Sequence, residues 1–284
     1  MRFFVLIFFL ISDVATAALV YKPTTFDPAT AQVVVVIHGC LQSGESMAMG
    51  AGFNLIADKN NLLVIYPQVP DGHPLGCWSW YLPENQRSDG GQLKSVHDLV
   101  RATIQAEKMS DPRVHLVGIS SGGATVAGLL ACFPNDYKSA AIHSAPSYAL
   151  ATDAASAEVV LRDGPKRETL GPCHPQEFNG RLIVVQGSAD AVVNPRHAER
   201  WMKDFLGADQ PAKTNRVSDL GGRYTQSDYV GRGRGRIIKV DGLGHAWSGS
   251  KANLRYPKLP TTIPFFSSTG PEATRLMWDY LLTP

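Results

Sequence analysis

Six short apolar runs recur along the chain and are separated by longer segments of mixed polarity. They occupy residues 32–37, 62–66, 114–119, 140–143, 182–185 and 237–240. Within each run the apolar residues, many of them β-branched, mostly follow one another instead of alternating with polar ones. This continuity is typical of strands that are covered on both faces, as in a parallel sheet. The pattern therefore predicts six buried parallel strands.

Segments with the character of helices lie between and after these runs. They are expected near residues 45–58, 92–108, 121–133, 195–206 and 271–282, and the last begins with Pro271 and Glu272, which suit a first helical turn. Four segments lack either pattern and are interpreted as loops at the strand ends: 71–91, 149–180, 207–235 and 248–270. The alternation predicts an α/β fold with a mostly parallel, doubly wound sheet flanked by helices.

The first 17 residues have the features of a secretory signal peptide. Arg2 supplies positive charge, an apolar run extends from Phe3 to Ile11, and Ala15-Thr16-Ala17 fits an A-x-A cleavage site. This run is far shorter than the roughly 20 residues needed to span a bilayer. We therefore expect a secreted or periplasmic protein without a membrane span, and a single domain over residues 18–284.

Composition narrows the possible partners. The 284 residues are 44% apolar and 18% charged, as in a globular protein, and the formal net charge is only +2. Such a chain lacks the overall field that attracts nucleic acids or anionic lipids. The alternating glycines and arginines of residues 231–236 are interpreted as a solvated loop that leads into a strand. We expect a monomer with no nucleic-acid partner.

A G-x-S-x-G motif, residues 118–122, lies where a predicted strand ends and a predicted helix begins. In such a turn the serine, here Ser120, has a strained backbone and presents its oxygen above the sheet edge. The flanking glycines are needed because side chains there would collide with the neighbouring strand and helix. A Gly/Ser turn without function is the alternative, but the strand–turn–helix context favours a nucleophile.

A serine nucleophile requires a histidine base and a carboxylate at later strand ends. Asp190 follows the run at 182–185, and His245 follows the run at 237–240. The order Ser, Asp, His is that of an α/β-hydrolase. Asp241 is the alternative carboxylate, and His38 is a second histidine at a strand end, although it precedes the nucleophile.

The segment His38-Gly39-Cys40 ends the first long strand, where an α/β-hydrolase places an oxyanion donor. We predict that the backbone N–H groups of Cys40 and Ser121 bind the oxyanion. A nucleophilic Cys40 is the competing interpretation. In an exported protein the four cysteines, Cys40, Cys77, Cys132 and Cys173, are expected in disulfides, and three pairings are possible. The absence of a CxxC motif argues against zinc.

Six motifs in order resemble the catalytic domain of polyhydroxybutyrate depolymerases, a family related to the feruloyl and acetylxylan esterases of carbohydrate esterase family 1. They are HGCLQ at 38–42, CWSWY at 77–81, GISSGG at 118–123, GSADAVVNP at 187–195, GHAWSG at 244–249 and GPEA at 270–273. The resemblance covers nearly all of residues 18–284. Gln186 and Gln92 depart from it, since a His and a Glu are common at these places.

The resemblance implies an α/β-hydrolase fold in which Ser120, Asp190 and His245 form the catalytic triad. It also implies a Cys40–Cys77 bridge, which leaves Cys132–Cys173 as the second pair. The expected function is hydrolysis of hydroxyalkanoate esters through an acyl-enzyme, with soluble oligomers or amorphous polymer as substrate. This substrate is expected because the chain ends without the added substrate-binding domain that is usual in depolymerases of crystalline polymer.

Two alternatives to this function stay open: a feruloyl or acetylxylan esterase with the same triad, and a non-catalytic binding protein with this fold. Aromatic residues near the motifs, Trp78, Trp80 and Trp247, are candidate substrate-binding residues because flat apolar surface suits an ester taken from water. Neither HExxH nor a dinucleotide-type glycine loop is present, so no metal or organic cofactor is expected.

Overall fold

The computed structural model describes residues 5–7, 17–169, 171–219, 221–250 and 263–282. Ten strands form one sheet in the order β1-β2-β4-β3-β5-β6-β7-β10-β9-β8. Their bounds are β1 Val5–Ile7, β2 Ala17–Tyr21, β3 Gln32–Ile37, β4 Leu62–Gln68, β5 Val114–Ile119, β6 Ser139–His143, β7 Arg181–Gly187, β8 Lys213–Asp219, β9 Gly222–Val230 and β10 Arg234–Val240. The six central strands, from β4 to β10, pair in parallel, and the outer strands pair antiparallel.

The central strands are the six that the apolar runs predict. Strand β3 shows why its pattern is continuous, since Val33 to Ile37 are all fully buried. Val33, Val35 and Ile37 belong to the core on one face of the sheet, whereas Val34 and Val36 belong to the core on the other face. Because both faces are covered, every position of the strand favours an apolar residue. The predicted doubly wound α/β arrangement is confirmed.

Helices cover both faces of the sheet. Their bounds are α1 Gly44–Gly50, α2 Phe53–Asn60, α3 Gly91–Ala106, α4 Ser121–Cys132, α5 Ala154–Asp163, α6 His197–Trp201 and α7 Ala273–Leu282, and α6 continues as a π-helix over Met202–Leu206. Residues of α3, α4 and α6 pack into one core, and residues of α1, α2 and α7 pack into the other. The helix predicted at 45–58 is two helices, because Gly52 adopts a left-handed conformation with φ 80° between them.

Two of the predicted loops contain an α-helix or β-strands, and this part of the prediction is wrong. Helix α5 lies within 149–180 and begins with a capping box between Asp153 and Ser156. Strands β8 and β9 lie within 207–235 and extend the sheet next to β10. Much of β9 is only half-buried, so it lacks the continuous apolar run of the central strands.

The predicted leader lies mostly outside the described residues. Its described part includes β1, which pairs antiparallel with β2, and β2 itself begins at Ala17. Cleavage after Ala17 would therefore remove β1 and leave nine of the ten described strands. Among the residues that the structure describes, no helix has the length and apolarity needed to cross a membrane.

Because the six central strands are parallel, their carboxyl ends meet at one edge of the sheet. His38 follows β3, Ser120 follows β5, and His143 ends β6. Asp190 follows β7 through a short turn, and His245 follows β10. This edge therefore gathers all three residues of the predicted triad.

Candidate active site

Ser120 lies between β5 and α4 in a backbone conformation that a residue with a side chain seldom adopts, with φ 55° and ψ −124°. Two backbone hydrogen bonds hold it there. Its N–H donates to the carbonyl of His143 at 3.0 Å, and its own carbonyl accepts from Ala124 at 3.0 Å. The predicted strained turn between strand and helix is therefore present.

The glycines on either side of Ser120 are required by close backbone contacts. A Cβ atom at Gly122 would lie 2.3 Å from the carbonyl oxygen of His38 and 2.4 Å from that of Ile37. A Cβ atom at Gly118 would lie 2.6 Å from the carbonyl oxygen of Gly122. Since backbone atoms cannot give way cheaply, both positions require glycine, as the motif predicts.

His245 and Asp190 form a hydrogen-bonded pair, with Nδ1 of His245 2.9 Å from Oδ2 of Asp190. The other carboxylate oxygen of Asp190 accepts from the N–H groups of Val192 at 3.0 Å and Val193 at 2.9 Å. Burial alone would raise the pKa of Asp190, but its hydrogen bonds with His245, Val193 and Val192 and the charge of His245 lower it below its ordinary value. The ionised carboxylate therefore favours a proton on Nδ1 and leaves Nε2 free to act as a base.

Gln186 supports the same carboxylate, which the sequence analysis did not recognise. It is fully buried at the end of β7, and its Nε2 donates to Oδ2 of Asp190 at 3.1 Å. In the sequence Gln186 stands out only as a departure from the family pattern. Its position four residues before Asp190, on the preceding strand, is the signal that could have identified it.

The alternative residues have other partners. Asp241 pairs with Arg216 and lies 4.0 Å from Arg223. His38 is fully buried, with Nδ1 2.8 Å from the carbonyl of Gly39 and Nε2 3.3 Å from the N–H of Val69. Burial lowers the pKa of His38 to about 4, so it is neutral at ordinary pH.

Ser120 and His245 line one cavity of about 230 Å³ at the strand ends. Gly39, Cys40, Gln42 and Ser121 also border it. The rest of its wall is apolar and consists of Leu75, Trp80, Ile119, Pro146, Leu161, Val192 and Phe265. Among the described residues that line this cavity, His245 is therefore the only one with an ionisable side chain.

The loop from Gly39 to Gln42 leaves one amide available to this cavity. The N–H of Gly39 donates to the side chain of Gln42 at 2.9 Å, that of Leu41 donates to Leu75 at 2.8 Å, and that of Gln42 donates to Gly39 at 3.3 Å. Within the described part of the chain, the N–H of Cys40 has no such acceptor. Ser121 is the first residue of α4, where the helix itself provides no acceptor for an N–H group.

The structure brings one of the three candidate tryptophans to the cavity. Trp80 lines it, whereas Trp78 and Trp247 are almost fully buried and are absent from its lining. Trp78 donates from Nε1 to the carbonyl of His38 at 3.0 Å. Trp247 stacks on His143 and donates to Thr274 at 3.1 Å. Trp78 belongs to the core on one face of the sheet and Trp247 to the core on the other face.

Six apolar residues of the wall were not predicted: Leu75, Ile119, Pro146, Leu161, Val192 and Phe265. Leu75, Leu161 and Phe265 come from segments that were interpreted as loops. Val192 lies two residues after Asp190, within the GSADAVVNP motif, and Ile119 directly precedes Ser120 in the GISSGG motif, so these two had a signal in the sequence.

Both disulfides join the pairs that the resemblance implies, Cys40–Cys77 and Cys132–Cys173. The first bridge lies at the cavity, since Cys40 is part of its lining. A bridged sulfur is not available for attack, so the structure removes Cys40 as a candidate nucleophile.

The fold is shared with solved esterase structures. Acetyl xylan esterase from Aspergillus awamori superposes with a TM-score of 0.68 at 19% identity, covering 85% of this chain and 94% of that one. LpqC, a poly(3-hydroxybutyrate) depolymerase from Bordetella parapertussis, gives a TM-score of 0.60 at 17% identity, covering 92% and 93%. The fold is therefore that of the α/β-hydrolases.

Sequence comparison finds relatives of both kinds. Poly(3-hydroxyalkanoate) depolymerase C of Paucimonas lemoignei is 25% identical over 77% of this chain, and the match spans 55% of that protein. Feruloyl esterase B of Thermothelomyces thermophilus is 25% identical over 80% of this chain and 82% of that protein. The family described as "Esterase PHB depolymerase" matches residues 17–216. The chain belongs to this esterase PHB depolymerase family.

Proposed function

We propose that this chain is a serine esterase that hydrolyses short hydroxyalkanoate esters of the polyhydroxybutyrate type. The observation that carries the proposal is the shared cavity, because the strained Ser120 and the Asp190-bound His245 both open onto it. Its apolar wall supports an uncharged, hydrophobic substrate. Relatives named as depolymerases and feruloyl esterases support the reaction class.

In the proposed reaction, Ser120 Oγ attacks the ester carbonyl while Nε2 of His245 takes its proton. Asp190, kept ionised by its hydrogen bonds, orients the imidazole and stabilises the imidazolium. The N–H groups of Cys40 and Ser121 bind the negative charge that develops on the carbonyl oxygen. His245 then protonates the leaving alcohol. In the second half of the reaction, water attacks the acyl-enzyme while His245 takes its proton, and His245 returns that proton to Ser120 as the acid leaves.

The size and chemistry of the cavity favour a short aliphatic group over an aromatic one. Its volume of about 230 Å³ lies below the roughly 300–1,000 Å³ of typical ligand pockets. A ferulate ring carries a phenol hydroxyl that needs a polar partner when it is buried. Among the described wall residues only Trp80 carries such a polar group, its indole N–H, and the other polar lining residues lie beside Ser120 and the oxyanion loop.

We further propose that residues 1–17 are a cleaved leader and that residues 18–284 form one domain that works outside the cytoplasm as a monomer. The two disulfides support an oxidising location. The single continuous sheet supports one domain.

Replacing the nucleophile tests the reaction. Ser120→Ala is expected to lower kcat for a p-nitrophenyl ester by about 10⁴-fold or more, because the remaining groups cannot form the acyl-enzyme. Ser95→Ala, which alters a half-buried serine on α3 that is not part of the cavity lining, serves as the control and should keep wild-type rates. Turnover by Ser120→Ala near that of the control would contradict the mechanism.

A substrate panel tests the acyl group. The wild-type protein should hydrolyse 3-hydroxybutyrate oligomers with a higher kcat/KM than methyl ferulate, because its cavity is small, and than acetylated xylan, because its wall is mostly apolar. A preference for methyl ferulate or for acetylated xylan would replace the proposed substrate with that of a feruloyl or an acetylxylan esterase. Absence of activity on all esters, in the oxidised protein, would favour a binding protein.

The two disulfides provide a matched comparison, since they close loops of similar length with sequence separations of 37 and 41. Removing either pair by double alanine substitution is expected to cost about 4 kcal/mol of unfolding free energy. Only Cys40→Ala/Cys77→Ala should also lower kcat, because that bridge holds the oxyanion loop. Urea unfolding and ester hydrolysis measure the two effects, and equal losses of kcat in both variants would argue against a role for this bridge in the site.

A further inference from the structure

Gln42 ends the oxyanion loop and is almost fully buried, yet the proposed chemistry gives it no task. Both ends of its side-chain amide are used. Oε1 accepts from the N–H of Gly39 at 2.9 Å, and Nε2 donates to the carbonyl of Pro264 at 3.1 Å. One side chain thus connects two segments that lie 222 residues apart in sequence.

The bond to Gly39 fixes the loop where it passes the nucleophile. A Cβ atom at Gly39 would lie 3.1 Å from Cβ of Ser120 and 3.2 Å from the carbonyl oxygen of Ile119, so little space separates the loop from the end of β5. With the Gly39 N–H occupied by Gln42, the next amide, that of Cys40, is left for the cavity. Loss of the hydrogen bond between Gln42 and Gly39 would therefore displace the N–H of Cys40, the predicted oxyanion donor.

The hydrogen bond to Pro264 connects Gln42 to a segment that contacts His245. The next residue, Phe265, places its ring edge-on to the His245 ring, with the centroids 5.7 Å apart. Its carbonyl accepts from the N–H of Trp247 at 2.8 Å, which attaches this segment to the loop that carries His245. Phe265 holds this place with a φ of 59°, a strained value for a bulky side chain.

We propose that Gln42 is a positioning residue that couples the oxyanion loop to the segment packed against His245. It acts through the Gly39 N–H on one side and the Pro264 carbonyl on the other, so the oxyanion donor and the general base keep a fixed separation. This inference rests on the serine esterase function proposed above. It gives Gln42 a role in the chemical step and none in substrate affinity.

Two replacements separate this role from simple packing. Gln42→Met keeps the size of the side chain and loses both hydrogen bonds. Gln42→Glu keeps the acceptor for Gly39 but, when ionised, cannot donate to Pro264 and places negative charge beside the oxyanion. When protonated, the glutamic acid can again accept from Gly39 and donate to Pro264, as glutamine does.

Gln68 offers a matched control. Its side-chain amide also joins two backbone groups, accepting from Gly44 at 2.8 Å and donating to Val69 at 3.3 Å, but it is absent from the cavity lining. Gln68→Met therefore removes similar bonds without affecting the proposed coupling.

The experiment compares the four proteins in hydrolysis of p-nitrophenyl butyrate and in the rate at which a fluorophosphonate labels Ser120. Gln42→Met should lose about tenfold to hundredfold in kcat, less than the roughly 10²–10³ lost with an oxyanion donor itself, with KM changed less than about twofold. The labelling rate should fall in parallel, whereas Gln68→Met should keep both rates.

The ratio of Gln42→Glu to wild-type kcat should rise as the pH is lowered from about 8 to about 5, because burial favours the protonated carboxyl group. The other titratable groups nearby, His245 across the cavity and the neutral His38, are present in both proteins, so a change in the ratio reports the new carboxyl group and its effect on them. The corresponding ratio for Gln42→Met should stay constant with pH.

Wild-type kcat and labelling rate in Gln42→Met, or a Gln42→Glu ratio that does not change with pH, would overturn the assignment of Gln42. A different result would show that the proposed substrate is wrong: the wild-type protein would be labelled rapidly but would not hydrolyse hydroxybutyrate oligomers. If the wild-type protein were not labelled at all, both the proposed function and the role of Gln42 would be wrong.

Discussion

The first turn of α4 lies directly against the carboxyl end of β3, and Gly122 faces the carbonyl oxygens of Ile37 and His38 there. This contact sets the distance between two segments that both line the cavity. One carries Ser120, and the other continues into the oxyanion loop with Gly39 and Cys40. Because the contact is between backbone atoms, no side-chain rearrangement can replace it, and the remaining features of the site adapt to it.

The strained conformation of Ser120 follows from this close approach and costs on the order of 1–3 kcal/mol. The surrounding structure holds it through the bond to the His143 carbonyl at 3.0 Å and through the buried core on both faces of the sheet. The proposed base, His245, is fixed separately by Asp190, whose carboxylate accepts from His245, Gln186 and two backbone amides. Rigid strand ends therefore position the proposed nucleophile, while hydrogen bonds position the proposed base.

Much of this arrangement could be predicted from the sequence, because buried parallel strands leave a continuous apolar pattern and their carboxyl ends must meet at one edge. The placement of Ser120, Asp190 and His245 at that edge follows from topology alone. Strands β8 and β9 escaped prediction because β9 in particular is half-buried, so its pattern is weak. The direction in which the Trp247 side chain points could not be inferred either, since it depends on how its ring packs on His143. The aromatic ring that contacts His245 is that of Phe265.

The most direct test of this account is a comparison of two glycine-to-alanine changes in the same helix. Gly122→Ala would force a Cβ atom to within 2.3 Å of a backbone oxygen, whereas Gly128→Ala would meet only the tip of the Leu93 side chain, at 2.8 Å. Alanine favours a helix by about 1 kcal/mol over glycine, so Gly128→Ala should keep its Tm and its ester hydrolysis. We expect Gly122→Ala to lose both; a Gly122→Ala protein with wild-type Tm and kcat would contradict the account.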